Sequence, residues 1–294
     1  MKTTKIVYGI ALALTCSLAA TLKAQNMYIG SGSNIGIVGE YGLDGSTIKT
    51  PLISGLNDIV GIAVSGNDLF VANNGTDSIG EYTTSGTTVN ASLITGLSQP
   101  RGIAISGNDL YVAELLTGSI GEYTTSGATV NTSLITGLNA PLDVAISGND
   151  LFTANFDGKS IGEYTTSGAT VNASLISGLP YYPWAIAVSG NDVFVVDDYG
   201  GTVGEYTTSG ATVNASLISG LGTPYAIAIS GNDLFVANES SGTIGEYTTS
   251  GAVVNASLIS GLDGPSAIVI TPEPSAGALA GLGAVALWLW RRRK

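Results

Sequence analysis

"SGNDLFVANNGTDSIGEYTTSG" (residues 65–86) is one of five near-copies in the chain. The pieces "SGND" and "EYTTSG" barely change between copies, whereas the window between Val71 and Ser78 differs every time. The dipeptide Glu-Tyr marks the period, at Glu40, Glu81, Glu122, Glu163, Glu205 and Glu246, with intervals of 41 or 42 residues. A fixed period in this range belongs to solenoids, propellers or arrays. In the second period the residues divide into four strands: "GIAVS" (61–65), "DLFVAN" (68–73), "SIGEYTT" (78–84) and "TTVNASLI" (87–94). The links "SGND" and "TSGT" have the composition of tight hairpin turns.

Apolarity falls along this unit. The first two strands are nearly continuous apolar runs, as in strands covered on both faces. The last alternates Val89, Ala91 and Leu93 with Thr88, Asn90 and Ser92, as in a strand half in water. Buried inner strands and wet outer strands suit a radial blade. The ends of the array decide between an open and a closed stack. The first period begins at "MYIG" (27–30) without its innermost strand, and the chain later supplies an isolated "SAIVIT" (266–271). An open solenoid would want intact caps at both ends. The expected fold is therefore all-β: a six-bladed β-propeller over residues 25–271, four antiparallel strands per blade, its first blade closed by the C-terminal strand.

In such a blade the "SGND" and "TTSG" turns share one face. The drifting loops share the other: "NNGTDS", "ELLTGS", "NFDGKS", "DDYGGT" and "NESSGT", with "SQPRG", "NAPLD", "PYYPWA", "GTPYA" and "DGPSA". Selection for a ligand on a rigid scaffold would differentiate that face; simple tolerance of loop change would do so too. The residues just before the inner strands, Val60, Arg101, Leu142, Trp184, Tyr225 and Ser266, are expected to ring the channel mouth. Arg101 with Tyr181, Tyr182, Trp184, Tyr199 and Tyr225 forms the candidate ligand-binding set, suited to stacking on a sugar ring or a peptide side chain. Ordinary loop aromatics shielding the channel are the plain alternative. The ends of the second strands offer a second ring, Ser31, Asn73, Glu114, Asn155, Asp197 and Asn238, whose oxygens are the candidate metal set, for calcium. No other cofactor is expected. The repeated Glu-Tyr pairs and the Asn-x-Ser pattern (Asn90, Asn131, Asn172, Asn214, Asn255) read as structural.

Composition narrows the chemistry. The chain has no histidine and one cysteine, Cys16. Ser-His-Asp and Cys-His catalysis, His-ligated zinc and disulfide frameworks are all absent. Of 22 acidic residues all but Glu273 lie in 25–271, against only Lys49, Arg101 and Lys159. So acidic a body repels phosphate backbones, which removes nucleic acid as a partner.

The two ends read as addresses. Residues 1–24 have a basic start, an apolar run from Ile6 to Ala20 and small residues near Ala20 and Ala24, the layout of a secretory signal peptide. Residues 272–294 run from Pro272-Glu273-Pro274 through fifteen apolar residues (276–290) to Arg291, Arg292, Arg293 and Lys294, a short hydrophobic transmembrane helix with a cytoplasmic basic end.

That order of parts resembles the PEP-CTERM sorting signal of Gram-negative bacteria. The resemblance implies recognition of Pro272-Glu273-Pro274 by an exosortase, passage through the inner membrane on the C-terminal helix before processing, and delivery to the cell surface or exopolysaccharide matrix. The period "PRGIAISGNDLYVAELLTGSIGEY" (100–123) resembles NHL-type six-bladed propeller repeats, which implies the fold and little about function. The polar ring is similar to the metal site of gluconolactonase-type propellers, and the "GEYTTSG" units resemble those of streptogramin lyases, whose chemistry would here lack a histidine base. The expectation is an exported, non-catalytic propeller that binds an extracellular polysaccharide or surface protein, or serves as a scaffold. The alternative is a calcium-dependent, lactonase-like hydrolase using Glu114 and Asp197.

Overall fold

The computed structural model describes residues 25–32 and 36–272. The signal-peptide segment, and the sorting tail beyond Pro272, lie outside the described residues. Residues Asn26–Thr271 form one compact unit.

Six four-stranded antiparallel sheets make up this unit. Blade 2 is built from strands Ile59–Ser65, Asp68–Asn73, Ser78–Thr83 and Thr88–Thr95. Blades 3 to 6 repeat the plan over 100–135, 141–176, 183–219 and 224–259. Blade 1 joins Asn26–Ser31, Gly36–Gly42 and Thr47–Leu56 to the far-terminal strand Pro265–Ile270, which lies innermost and pairs with Asn26–Ser31. Inner strand touches inner strand all the way round, and Pro265–Ile270 meets both Pro224–Ser230 and Ile59–Ser65. The ring is closed, as the split first repeat predicts. The closing strand is locked by Asn26 and Thr271 across 245 residues of sequence: the Thr271 N–H donates to the Asn26 carbonyl, and the Asn26 N–H donates to Thr271 Oγ1.

The core is divided among the blade boundaries. Six apolar clusters each straddle two neighbouring blades. Every second strand contributes one buried aromatic ring, from Tyr28, Phe70, Tyr111, Phe152, Phe194 and Phe235. Burying side chains of this size stabilises by roughly 1.5–3 kcal/mol each. The Gly-Glu-Tyr motif has a steric origin. In each blade the tyrosine ring folds back over the glycine two residues earlier, so a Cβ on Gly80 would sit 2.8 Å from the Tyr82 ring.

The uniform face is held by turn chemistry and by packing. "SGND" closes a two-residue hairpin between Ser65 and Asp68, with Gly66 at φ 59° as the primed turns require. In "TTSG", the Thr83 and Ser85 hydroxyls pair at 2.8 Å and Thr83 Oγ1 accepts the Thr87 N–H. Gly86 presses on the outer strand of the preceding blade, where a Cβ would stand 2.4 Å from the Leu52 carbonyl. The same contact recurs between Gly127 and Leu93 and between Gly168 and Leu134. The constancy of these turns therefore needs no ligand to explain it. The Asn-x-Ser pattern is equally local: each outer strand bulges there, and Asn90 Oδ1 accepts the Ser92 N–H.

Candidate functional site

All the drifting loops emerge on one end of the ring, around an axial cavity of about 270 Å³. Val60, Arg101, Leu142, Trp184, Tyr225 and Ser266 all line it. One detail differs from the sequence reading. The inner strands start one or two residues earlier, at Ile59, Pro100, Pro141, Pro183, Pro224 and Pro265, so these six side chains project from within the strands. A bulge near each strand start carries the ladder back to the end of the second strand, as from Pro100 to Glu114.

Above the axial cavity lies a wider one of about 810 Å³, sharing Val60, Arg101, Trp184, Tyr225 and Ser266 with it and adding Asp58, Glu239 and Asp263. Trp184 and Tyr225 line it, and an aromatic cluster from three consecutive blades continues outward from them. Trp184 and Tyr225 stand 4.4 Å apart between ring centres, tilted by 44°. Phe156 stacks on Tyr182 at 4.6 Å and meets Trp184 edge-on at 5.5 Å. Tyr199, 68% exposed, closes on Tyr182 at 5.4 Å. Lys159 places its Nζ 4.4 Å above the Tyr182 ring centre, a cation–π contact.

Five of the six candidate ligand-binding residues thus come together: Arg101, Tyr182, Trp184, Tyr199 and Tyr225. Tyr181 does not join them; it faces Gly200 and a shallow groove with Leu179, Pro183 and Asp197. Phe156, which organises the cluster, was not among the candidates. Its only sequence signal is an aromatic residue in a loop where the other copies have polar ones or leucine.

Charge at this mouth is uneven. Burial lowers the Arg101 pKa, opposed first by Asp58, and its buried Nε has no hydrogen-bond partner. On the opposite side Asp198 is pushed up to about 6, by burial and then by Asp197 and Glu239. Tyr225 feels both regions: burial raises its pKa, Asp198 and Glu239 add to the rise, and Arg101 opposes it.

Asp143 is a second residue the repeat pattern passed over. It lines the axial cavity at a position where the other blades have Gly61, Gly102, Ala185, Ala226 and Ala267. Its Oδ1 accepts the Val144 N–H and its Oδ2 accepts the Ile186 N–H of the next blade, both at 2.9 Å. Burial drives its pKa up to about 7 against the pull of those two hydrogen bonds.

Ser31, Asn73, Glu114, Asn155, Asp197 and Asn238 do end the second strands, and all are buried, but none lines the axial cavity. Glu114 accepts from the Ser98 N–H and the Tyr123 hydroxyl, and Asp197 accepts from the Gly200 N–H. These two carboxylates pin loops to strands within or beside their own blades, whereas the Oδ1 atoms of Asn73, Asn155 and Asn238 are buried without a hydrogen-bond partner. Among the described residues no three His, Cys, Asp or Glu side chains are grouped to hold a metal. Glu114 and Asp197, the two carboxylates of the ring, are thus engaged in hydrogen bonds and not grouped with a third acidic side chain.

The virginiamycin B lyase family model matches residues 2–286. The chain belongs to the virginiamycin B lyase family. Among solved structures, a nidogen/laminin complex superposes with a TM-score of 0.70 at 15% identity, covering 86% of this chain and 100% of that one. A streptogramin B lyase structure gives 0.59 at 19% identity, over 82% of this chain and 91% of that one. The Staphylococcus aureus virginiamycin B lyase with quinupristin, a histidine-to-alanine variant described as catalytically inactive, gives 0.58 at 20% identity, over 81% and 86%. At these identities the likeness establishes the fold. No curated protein matches the chain in sequence. This member of the family contains no histidine.

Proposed function

We propose that this chain is a non-catalytic, saccharide-binding member of the virginiamycin B lyase family, exported and displayed at the cell surface or in an exopolysaccharide matrix. The observation that carries the reading is the aromatic mouth: Trp184 and Tyr225 line a cavity that also holds Arg101, and Phe156, Tyr182 and Tyr199 extend their ring surface across three blades. Flat, rigid rings with few polar groups suit the apolar face of a sugar, and Arg101 brings a hydrogen-bond donor without a partner.

The missing histidine supports the non-catalytic half of the reading. The S. aureus lyase is described as inactive once a histidine is replaced by alanine, and this chain has none to offer as a general base. The sequence of the two ends supports the location. The leader at 1–24 and the Pro272-Glu273-Pro274 tail fit export followed by exosortase sorting, with the C-terminal helix as a transient membrane anchor. Among the described residues no helix is long and apolar enough to cross a membrane.

A glycan array probed with the body, residues 26–271, tests the binding. Saccharide binding is expected, and Trp184→Ala or Tyr225→Ala should weaken it by about 10-fold or more, given the area each ring offers. An array with no signal above background, or binding that ignores both substitutions, overturns the reading.

A further inference from the structure

We propose that the saccharide taken at this mouth is an amino sugar, its ring face on the Trp184–Tyr225 surface and its ammonium group toward Asp198 and Glu239. This rests on the saccharide reading above and narrows it to one ligand class.

The cavity lined by Trp184 and Tyr225 holds one cation, Arg101, against three acidic residues, Asp58, Glu239 and Asp263. Arg101 is answered by Asp58, its strongest charged neighbour. Glu239 and Asp198, on the blade 5 and 6 side, have no basic side chain at ion-pair distance among the described residues. They crowd one another instead: Asp197 and Glu239 both make the ionised form of Asp198 costlier. An arriving cation relieves that repulsion, while an arriving carboxylate adds to it. The field of the whole body points the same way, with only Lys49, Arg101 and Lys159 set against its many acidic residues.

The chain supplies its own example of the contact. Lys159 Nζ rests over the Tyr182 ring, and its charge favours the ionised form of Asp197. An ammonium over a tyrosine beside an aspartate therefore already occurs in the aromatic cluster that adjoins the cavity. Next to it, Tyr225 lies under the influence of Asp198 and Glu239, which act on it more strongly than the opposing Arg101. Aromatic faces lining the space favour an organic ammonium over a hard metal ion, which wants several oxygens converging on one point.

Calorimetric titration of the 26–271 body near pH 7, with three probes of one ring size, tests the inference: glucosamine oligomers, N-acetylglucosamine oligomers and galacturonic acid oligomers. Glucosamine oligomers are expected to bind about 10-fold more tightly than the acetylated ones, and the uronates weakest. The preference should shrink in Asp198→Asn/Glu239→Gln, and in about 0.5 M salt, where exposed charges are screened. Trp184→Ala should weaken glucosamine and N-acetylglucosamine oligomers alike, and melting curves check that each variant is folded. Equal affinity for glucosamine and N-acetylglucosamine oligomers, or a preference that survives the double substitution, overturns the ammonium assignment and leaves the saccharide reading standing. Failure of all three probes to bind removes both.

Discussion

Asp143 and Ile186 tie two blades together across the axis of the ring: the Asp143 carboxylate accepts the Ile186 N–H at 2.9 Å from 43 residues away. The same carboxylate holds the Val144 N–H and lies against Gly102 of the blade before, where an added Cβ would come within 2.0 Å of Oδ1. One side chain thus touches three consecutive blades inside the cavity, at a position that carries only glycine or alanine elsewhere in the ring.

This tie makes stability depend on pH in an unusual direction. The carboxyl has a pKa of about 7 in the fold against an ordinary 3.8. The neutral form is favoured on folding, so its contribution is fully present below about pH 4 and is lost as pH rises toward 7. The repeated glutamates Glu81, Glu122, Glu163, Glu205 and Glu246 shift the same way, through burial and then a neighbouring aspartate. Lowering the pH from 8 to 5 should therefore raise Tm, by roughly 3 °C or more. Asp143→Ala should flatten part of that rise. Parallel Tm curves for parent and variant would show that Asp143 does not carry it.

Thr153 should be improved by valine. It is fully buried in the second strand of blade 4, its Oγ1 has no hydrogen-bond partner, and Val71, Val112, Val195 and Val236 occupy the equivalent positions. Removing a buried hydroxyl without a partner should stabilise by about 1 kcal/mol, roughly 2–4 °C in Tm. A denaturant melt with an unchanged or lower midpoint would contradict this.

Gly80→Ala should do the reverse. Its Cβ would strike the Tyr82 ring at 2.8 Å and approach the Ala91 carbonyl at 3.0 Å. The expected cost is about 1–3 kcal/mol, as for other overpacked sites. Equal stability of the variant would mean that the ring-over-glycine contact does not constrain the blade.

Loss of the closing strand should be the most damaging change. Ending the chain at residue 264 exposes the apolar side of Asn26–Ser31 and removes Ala267, Ile268 and Ile270 from two core clusters. Calorimetry should show Tm reduced by about 10 °C or more, with association through the opened edge. A truncated chain that melts with the parent and remains monomeric would rule out closure by this strand.

How much of this was legible in the residues follows from what repeats. The Glu-Tyr period, the turn pieces and the displaced "SAIVIT" segment defined the blades and the closure, because each is a local pattern with a local cause. The residues at the mouth were legible as a ring for the same reason. Which loops meet above that ring was not, since contacts such as Phe156 with Tyr182 join loops from different blades and leave no trace in spacing. Asp143 departs from the small residues of the other copies, and that departure was its available signal. The polar ring was legible as a repeat, Asn73 through Asn238, but which of its oxygens are engaged was not: Glu114 and Asp197 accept hydrogen bonds, while Asn73, Asn155 and Asn238 keep buried Oδ1 atoms without a partner.

The lock between Asn26 and Thr271 has a consequence for biogenesis. Closing so long a loop is slow, because contacts distant in sequence are the last to form. Blade 1 cannot exist until the final inner strand has been made, so a nascent chain holds an unfinished ring throughout its synthesis. Under the proposed export route, in which the polypeptide threads a translocation pore before it folds, that delay would keep the polymer passable until its last strand arrives.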